Sequence, residues 1–218
     1  MLVDLKFIEG GHLEELWPKS STELYEKFPD ATHLLIEPLI EFEGALRDIS
    51  RKYKAEYVIA AASDKPGTII INVHPDLTGS SVFKVVEDNH VYGIPREVPA
   101  VTIDDLCNER NLRGPYLIKA DVQGAELKVL DGARKVLEDT ELVILEVSLF
   151  QFFKGGPQFY DVVSYMKDHG FVVYDIFNCT IRPFDGALAH IDIVFVKENG
   201  RFRKNHCYQR LGFWKIRK

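Results

Sequence analysis

The stretch Tyr116-Leu-Ile-Lys119-Ala-Asp121-Val-Gln-Gly124-Ala-Glu126-Leu127 decides the fold. Leu117 and Ile118 open a short apolar run of the kind that forms a buried parallel strand. Leu127, Leu130, Ala133 and Leu137 then recur at helical spacing, so the strand runs directly into a helix. Gly124, at the junction, lets the backbone turn closely. The two-residue period of a strand puts Lys119 and Asp121 on one face at its carboxyl end, where open α/β sheets bind their ligands. A charged pair at that place marks a candidate site.

Working outward, apolar strands and amphipathic helices alternate along the chain, with no internal repeat. Strands are expected over residues 5–8, 32–37, 56–62, 68–73, 142–147, 171–176 and 191–196. Helices are expected over 20–28, where Ser20-Ser-Thr-Glu23 is a capping-box pattern, and over 42–53, 102–109, 127–137 and 159–166. Residues 74–99 read as a loop. The alternation implies an α/β fold with a mostly parallel sheet and helices on both faces.

Ile118-Lys-Ala-Asp-Val-Gln-Gly-Ala-Glu126, followed by Leu142-Val-Ile-Leu-Glu146-Val-Ser148, resembles the FkbM family of S-adenosylmethionine-dependent O-methyltransferases. Lys154-Gly-Gly-Pro-Gln-Phe159, Gly170-Phe-Val-Val-Tyr-Asp175 and His190-Ile-Asp192-Ile-Val-Phe195 continue the likeness. Leu35-Ile-Glu37-Pro38, Ala61-Ala-Ser63-Asp64 and Thr102-Ile-Asp-Asp-Leu106 precede it in the right order. The resemblance divides the chain into a domain over residues 1–198 and a basic, aromatic tail over 199–218. It implies a Rossmann-like class I methyltransferase fold, a mostly parallel seven-stranded sheet whose last strand is antiparallel. That orientation brings His190 and Asp192 to the edge formed by the carboxyl ends of the parallel strands.

S-adenosylmethionine is the cofactor the resemblance implies. Glu37 ends the second strand, where an acid accepts hydrogen bonds from ribose hydroxyls. Ser63 and Asp64, ending the third, are placed to meet the adenine amino group, although Ser-Asp before Lys-Pro-Gly is also good turn chemistry. Glu9, Gly10 and Gly11 correspond to the loop that approaches the methionine end. That loop departs from the family pattern: Leu13-Glu-Glu15 stands where a second glycine is expected, and Trp17-Pro18 interrupts the helix start. The departure keeps open an alternative, a non-catalytic Rossmann-like binding module with a degenerate cofactor loop. A nicotinamide oxidoreductase fits poorly, since neither G-x-G-x-x-G nor Tyr-x-x-x-Lys occurs.

Methyl transfer to a hydroxyl needs the acceptor oxygen in line with the methyl and a group that takes its proton. Asp121, Lys119, Glu146, Asp192 and His190 are expected to converge on one rim for that purpose. Asp121, Glu146 and Asp192 are also the candidate ligands of a divalent cation, Mg²⁺ or Ca²⁺ rather than zinc. Plainer roles are open to the same residues: Asp121 as a helix cap, Glu126 as a complement to the helix dipole, Lys119 as the partner of Asp121, His190 as a solvated loop residue. The implied acceptor is a hydroxyl of a sugar or glycan. Phe152, Phe153 and Lys154 are its expected cover, while Phe150 and Phe159 are expected to seal the following helix against the sheet.

Composition narrows the partners. The net charge of −6 combines a body of −13 with a tail, residues 201–218, that carries seven Lys/Arg and no acid. A body so acidic does not suit nucleic acid. The tail interleaves Phe202, Tyr208, Phe213 and Trp214 with its charges, a composition suited to folding back on the acidic body or to meeting a partner domain or membrane surface. No segment reaches the ~20 apolar residues of a membrane span. With three widely spaced cysteines, Cys107, Cys179 and Cys207, a reducing cytoplasmic location is expected.

Overall fold

The computed structural model describes residues 2–6, 21–86 and 93–208. The chain is a mixed α/β structure. Strand β1, Leu2–Lys6, leads to helix α1, Ser21–Lys27, strand β2, His33–Glu37, helix α2, Glu43–Lys52, and strand β3, Ala55–Ile59. Three strands then build a small sheet: β4, Ala61–Ala62, β5, Gly67–Val73, and β6, Ile94–Val101. Helix α3, Ile103–Glu109, returns the chain to the main sheet at β7, Tyr116–Asp121. Helices α4, Glu126–Asp131, and α5, Arg134–Glu138, cross to β8, Thr140–Ser148. Helix α6, Phe159–Asp168, precedes the hairpin of β9, Phe171–Ile181, and β10, Leu188–Lys197.

Hydrogen bonding orders the main sheet β3-β2-β1-β7-β8-β10-β9 and the small one β4-β6-β5. β1 pairs in parallel with β2 and with β7, and β7 in parallel with β8, whereas β10 is antiparallel to both β8 and β9. The two faces carry different cores. Ile118, Ala120, Val143, Leu145, Ile193 and Phe195 point to one face and pack under α3, α4, α5 and α6. Leu35 packs with Leu24 and Tyr25 of α1 and Leu46 of α2, and Leu142, Ile144, Val194 and Val196 pack beside Phe202. Strand periodicity then assigns the acids: Asp121, Glu146 and Asp192 fall on the face opposite Ile118 and Ala120, at the rim.

Four details depart from the sequence reading. The first strand is Leu2–Lys6 rather than 5–8, and residues 7 and 8 lie outside the described residues. The strand expected over 56–62 divides at Ala60, whose N–H donates to the Glu37 carbonyl (3.0 Å), and its end crosses to the small sheet. The loop expected over 74–99 contains most of β6. Pro95 and Pro99 are tolerated in it because β4 pairs only with Ala100 and Val101, which leaves β6 an edge along most of its length. The helix expected over 127–137 breaks at Gly132, and the Asp104 carboxylate caps α5 by accepting the N–H groups of Lys135 (3.1 Å) and Val136 (2.9 Å). Helical periodicity cannot show a cap that arrives from another element.

Gly132 is required for a close approach rather than for an unusual backbone angle, because a Cβ there would lie 2.0 Å from the Ser63 carbonyl oxygen. Gly44, in the exposed first turn of α2, has nothing within 4 Å of the same position. Gly132→Ala is therefore expected to lower unfolding stability by about 3 kcal/mol, the upper end of overpacking costs, in a denaturant titration. Gly44→Ala should raise stability by about 0.5–1 kcal/mol through its better helix propensity. Equal effects of the two substitutions would show that Gly132 is not a packing constraint.

Candidate active site

The site begins at the turn after β7. Glu126 opens α4 from a buried position, and its carboxylate accepts the N–H groups of Val122 (3.1 Å) and Gly124 (3.2 Å). Those bonds close a turn in which Gln123 and Gly124 both have positive φ, 52° and 91°. Burial raises the Glu126 carboxyl to about 7 in spite of the two donors. Behind the turn stands Phe153, and a Cβ on Gly124 would come within 2.9 Å of its ring.

The turn aims the Gln123 side chain at the rim. Its Nε2 donates to Asp121 Oδ1 and to Glu146 Oε2, each at 3.1 Å, and its own carbonyl accepts the Ser81 hydroxyl at 2.7 Å. Asp192 lies directly opposite Glu146 in the antiparallel register and accepts from Asn178 Nδ2 at 3.3 Å. Asn178 has φ 52°, at an irregularity in the pairing of β9 with β10. Burial first, then the charges of Asp121, Asp192 and Glu126, push the Glu146 carboxyl up to about 9. Lys119 lies one strand repeat deeper than Asp121 on the same face, fully buried. Thus β7, β8 and β10 bring all of the expected rim acids together.

Beside the rim, Glu37 ends β2 in a narrow cavity walled by Ala61, Ala62, Ser80, Ser81, Asp121 and Val122. It is 2% exposed, and Oε1 accepts the Leu39 N–H at 2.8 Å. Burial raises its carboxyl to about 8; the Leu39 amide works against the shift and Glu41 adds to it. Ser63 and Asp64 do not line this cavity. Ser63 donates its hydroxyl to Asp64 (3.1 Å) and its N–H to Val101, and Asp64 is exposed. Glu9, Gly10 and Gly11 lie outside the described residues.

On the other side of the acids, Phe152, Thr180, Ile181, Arg182, Phe184 and His190 line an open groove of about 580 Å³. His190 stacks on Phe152, ring centroids 4.9 Å apart, and its Nδ1 lies 3.3 Å from the Ser148 hydroxyl. Burial holds the imidazole below its ordinary value while the charge of Asp121 pulls the other way. Phe153 does not line the groove: it is 8% exposed, its ring supports Gly124, and its backbone bridges to Val85. Lys154 is exposed but tied through its N–H to the Lys84 carbonyl (2.8 Å). Phe150 and Phe159 do not seal the helix, since Phe150 carries the Arg182 guanidinium 3.7 Å above its ring and Phe159 is exposed.

Residues 20–173 match the family model of the methyltransferase FkbM domain. The chain belongs to that family. A search of curated proteins finds no match. In this FkbM domain Asp121 lines the Glu37 cavity, and its charge also acts on His190, which lines the groove. The cation expected on Asp121, Glu146 and Asp192 is corrected: among the described residues no three His, Cys, Asp or Glu side chains are grouped so as to hold a metal ion. Amide donors from Gln123 and Asn178 bind these carboxylates instead.

Apart from Arg182 of the groove, the polar residues missed in the sequence are uncharged. Gln123 stood inside the most informative motif, but a search for titratable groups passes over an amide. Ser80 and Ser81 fell in a stretch read as loop, and their closeness to Gln123 depends on a contact 42 residues distant. Among the described residues, no helix is long and apolar enough to cross a membrane.

Glu37 makes stability depend on pH. Its folded-state value, about 8, lies above its ordinary 4.5, so the folded chain holds more protons than the unfolded chain between those limits. The contribution of Glu37 to stability is therefore present in full below pH 4.5 and is lost as pH rises through 8. Glu37→Gln should flatten the fall of unfolding free energy between pH 5 and 8, measured by denaturant titration without ligand. Identical slopes in the two proteins would show that Glu37 ionises freely in the fold.

Proposed function

We propose that the chain is an S-adenosylmethionine-dependent O-methyltransferase that methylates a hydroxyl of a sugar or glycan. The observation that carries the reading is the set of buried acids at the ends of β7, β8 and β10, of which Asp121 lines the cavity of Glu37 and acts by its charge on His190 in the groove. The strand order, with one antiparallel strand, supports a Rossmann-like methyltransferase fold.

The residues fit the implied cofactor at Glu37. A buried carboxylate that faces a cavity, with its value raised by burial, gains most from two hydroxyl donors, and a ribose diol supplies them. Glu37 would hold the ribose, while Ala61 and Ala62 leave an apolar wall for the base. The cavity is narrow, so the wall formed by Ser80 and Ser81 has to move outward to admit a nucleoside. Bound S-adenosylmethionine supplies an electrophilic methyl and leaves as a neutral thioether.

The acceptor hydroxyl then needs a base. Burial favours the neutral form of His190, which lines the groove with Nδ1 turned to Ser148. It takes the hydroxyl proton, and the negative charge of Asp121 stabilises the imidazolium that results. Asp192 reads a neighbouring hydroxyl. Phe152 and the exposed ring of Phe184 form the apolar side of the groove, on which a sugar face stacks.

Three measurements test the reading. S-adenosylhomocysteine at 100 times its dissociation constant should add ~2.7 kcal/mol to unfolding stability, and Glu37→Ala should abolish the gain. Labelled methyl donor offered with glycans, nucleotide sugars, phenols, protein and RNA should label the sugars. His190→Gln should lower kcat by ~10²-fold or more with cofactor affinity unchanged. No binding of S-adenosylhomocysteine at millimolar concentration would favour the non-catalytic module, and label only in RNA or protein would overturn the sugar acceptor.

A further inference from the structure

Gln123 is held from three sides. The Glu126 carboxylate closes its turn, the Ser81 hydroxyl donates to its carbonyl, and a positive φ directs its side chain between β7 and β8. Its Nε2 carries two hydrogens, and each has a carboxylate partner at 3.1 Å, Asp121 on one strand and Glu146 on the next. Few side chains could do this. A hydroxyl offers one hydrogen, an acid offers none when ionised, and an asparagine is one methylene shorter.

We propose that Gln123 is a positioning residue, whose amide bridges the Asp121 and Glu146 carboxyl groups and holds them in fixed places beside His190. The inference rests on the methyl-transfer reading for its catalytic consequence. When the acceptor O–H bond breaks and the proton passes to His190, the imidazolium meets its counter-charge at a fixed place. Two unrestrained acids would instead offer it at a variable position.

Electrostatics agree with the geometry. Among the described residues, Glu37 on β2, Lys119 on β7, Glu126 on α4, and Asp192 and His190 on β10 are other charged or titratable groups around the pair. The other member of the pair, Asp121, and the surrounding carboxylates Asp192 and Glu126 act to keep a proton on Glu146, which also makes a hydrogen bond with Asp121. Donation by Gln123 works in the opposite direction, since an N–H donor favours the ionised form. Without the amide, Glu146 should hold its proton to higher pH.

Gln123→Met keeps the length and removes the donor, and Gln123→Gly removes the side chain while easing the positive φ. In the protein without ligand, NMR of the Glu146 carboxyl carbon should show its proton lost about one pH unit higher in both variants than in the native chain. With donor and acceptor present, both should lower kcat by about tenfold while acceptor KM and cofactor dissociation constant stay within about twofold. Unchanged Glu146 titration in both folded variants would overturn the proposal. Unchanged titration and absent methyl transfer fail separately: a native protein that transfers no methyl sinks the activity, while the NMR titration still decides whether Gln123 governs the pair.

Discussion

The carboxylate of Glu126 is the constraint on which the rest of the site depends. Its two N–H partners force the chain into a turn with two consecutive positive φ angles immediately after the central strand. Such a turn costs free energy at Gln123, which has a side chain to accommodate, and its persistence shows that surrounding bonds over-determine it. Phe153 fills the space that Gly124 leaves open, and Val85 pairs with Phe153. One buried acid thus fixes both the floor of the Glu37 cavity, where Val122 and Ala125 line it, and the place of Gln123 between β7 and β8.

Sheet geometry supplies the other half. β8 and β10 are antiparallel, so Glu146 at the end of one strand faces Asp192 near the start of the other. Like charges side by side in a buried place repel, and the fold answers by leaving a proton on Glu146 and by surrounding the carboxylates with amides. A cluster that would destabilise a purely structural sheet is retained at the rim next to an open groove. This is the arrangement expected where charge must be delivered to a reacting group rather than buried for stability.

Much of this was legible in the sequence, for identifiable reasons. Asp121 and Glu146 could be assigned to one rim from strand period and strand direction, and Asp192 joined them through the antiparallel last strand that the family resemblance implies. Glu37 was legible because Leu34-Leu-Ile before it marked a strand end. What escaped was set by contacts across the chain. Phe153 looked like a surface aromatic beside a Gly-Gly-Pro turn, yet it is the packing partner of Gly124. Likewise, most of β6 lay in a stretch read as loop, because it forms by pairing with β5 from the far side of that stretch.

The central position of β1 bears on how the protein is made. β1 leaves the ribosome before β2 and β7, but it lies between them, and β7 ends at residue 121. The middle of the sheet cannot close until more than half of the chain has been synthesised, and the Asp192 edge closes later still. Pairings so distant in sequence carry a large loop-closure cost and slow folding. The nascent chain therefore spends much of its synthesis with an apolar strand edge open, the interval in which such a sheet is most exposed to aggregation.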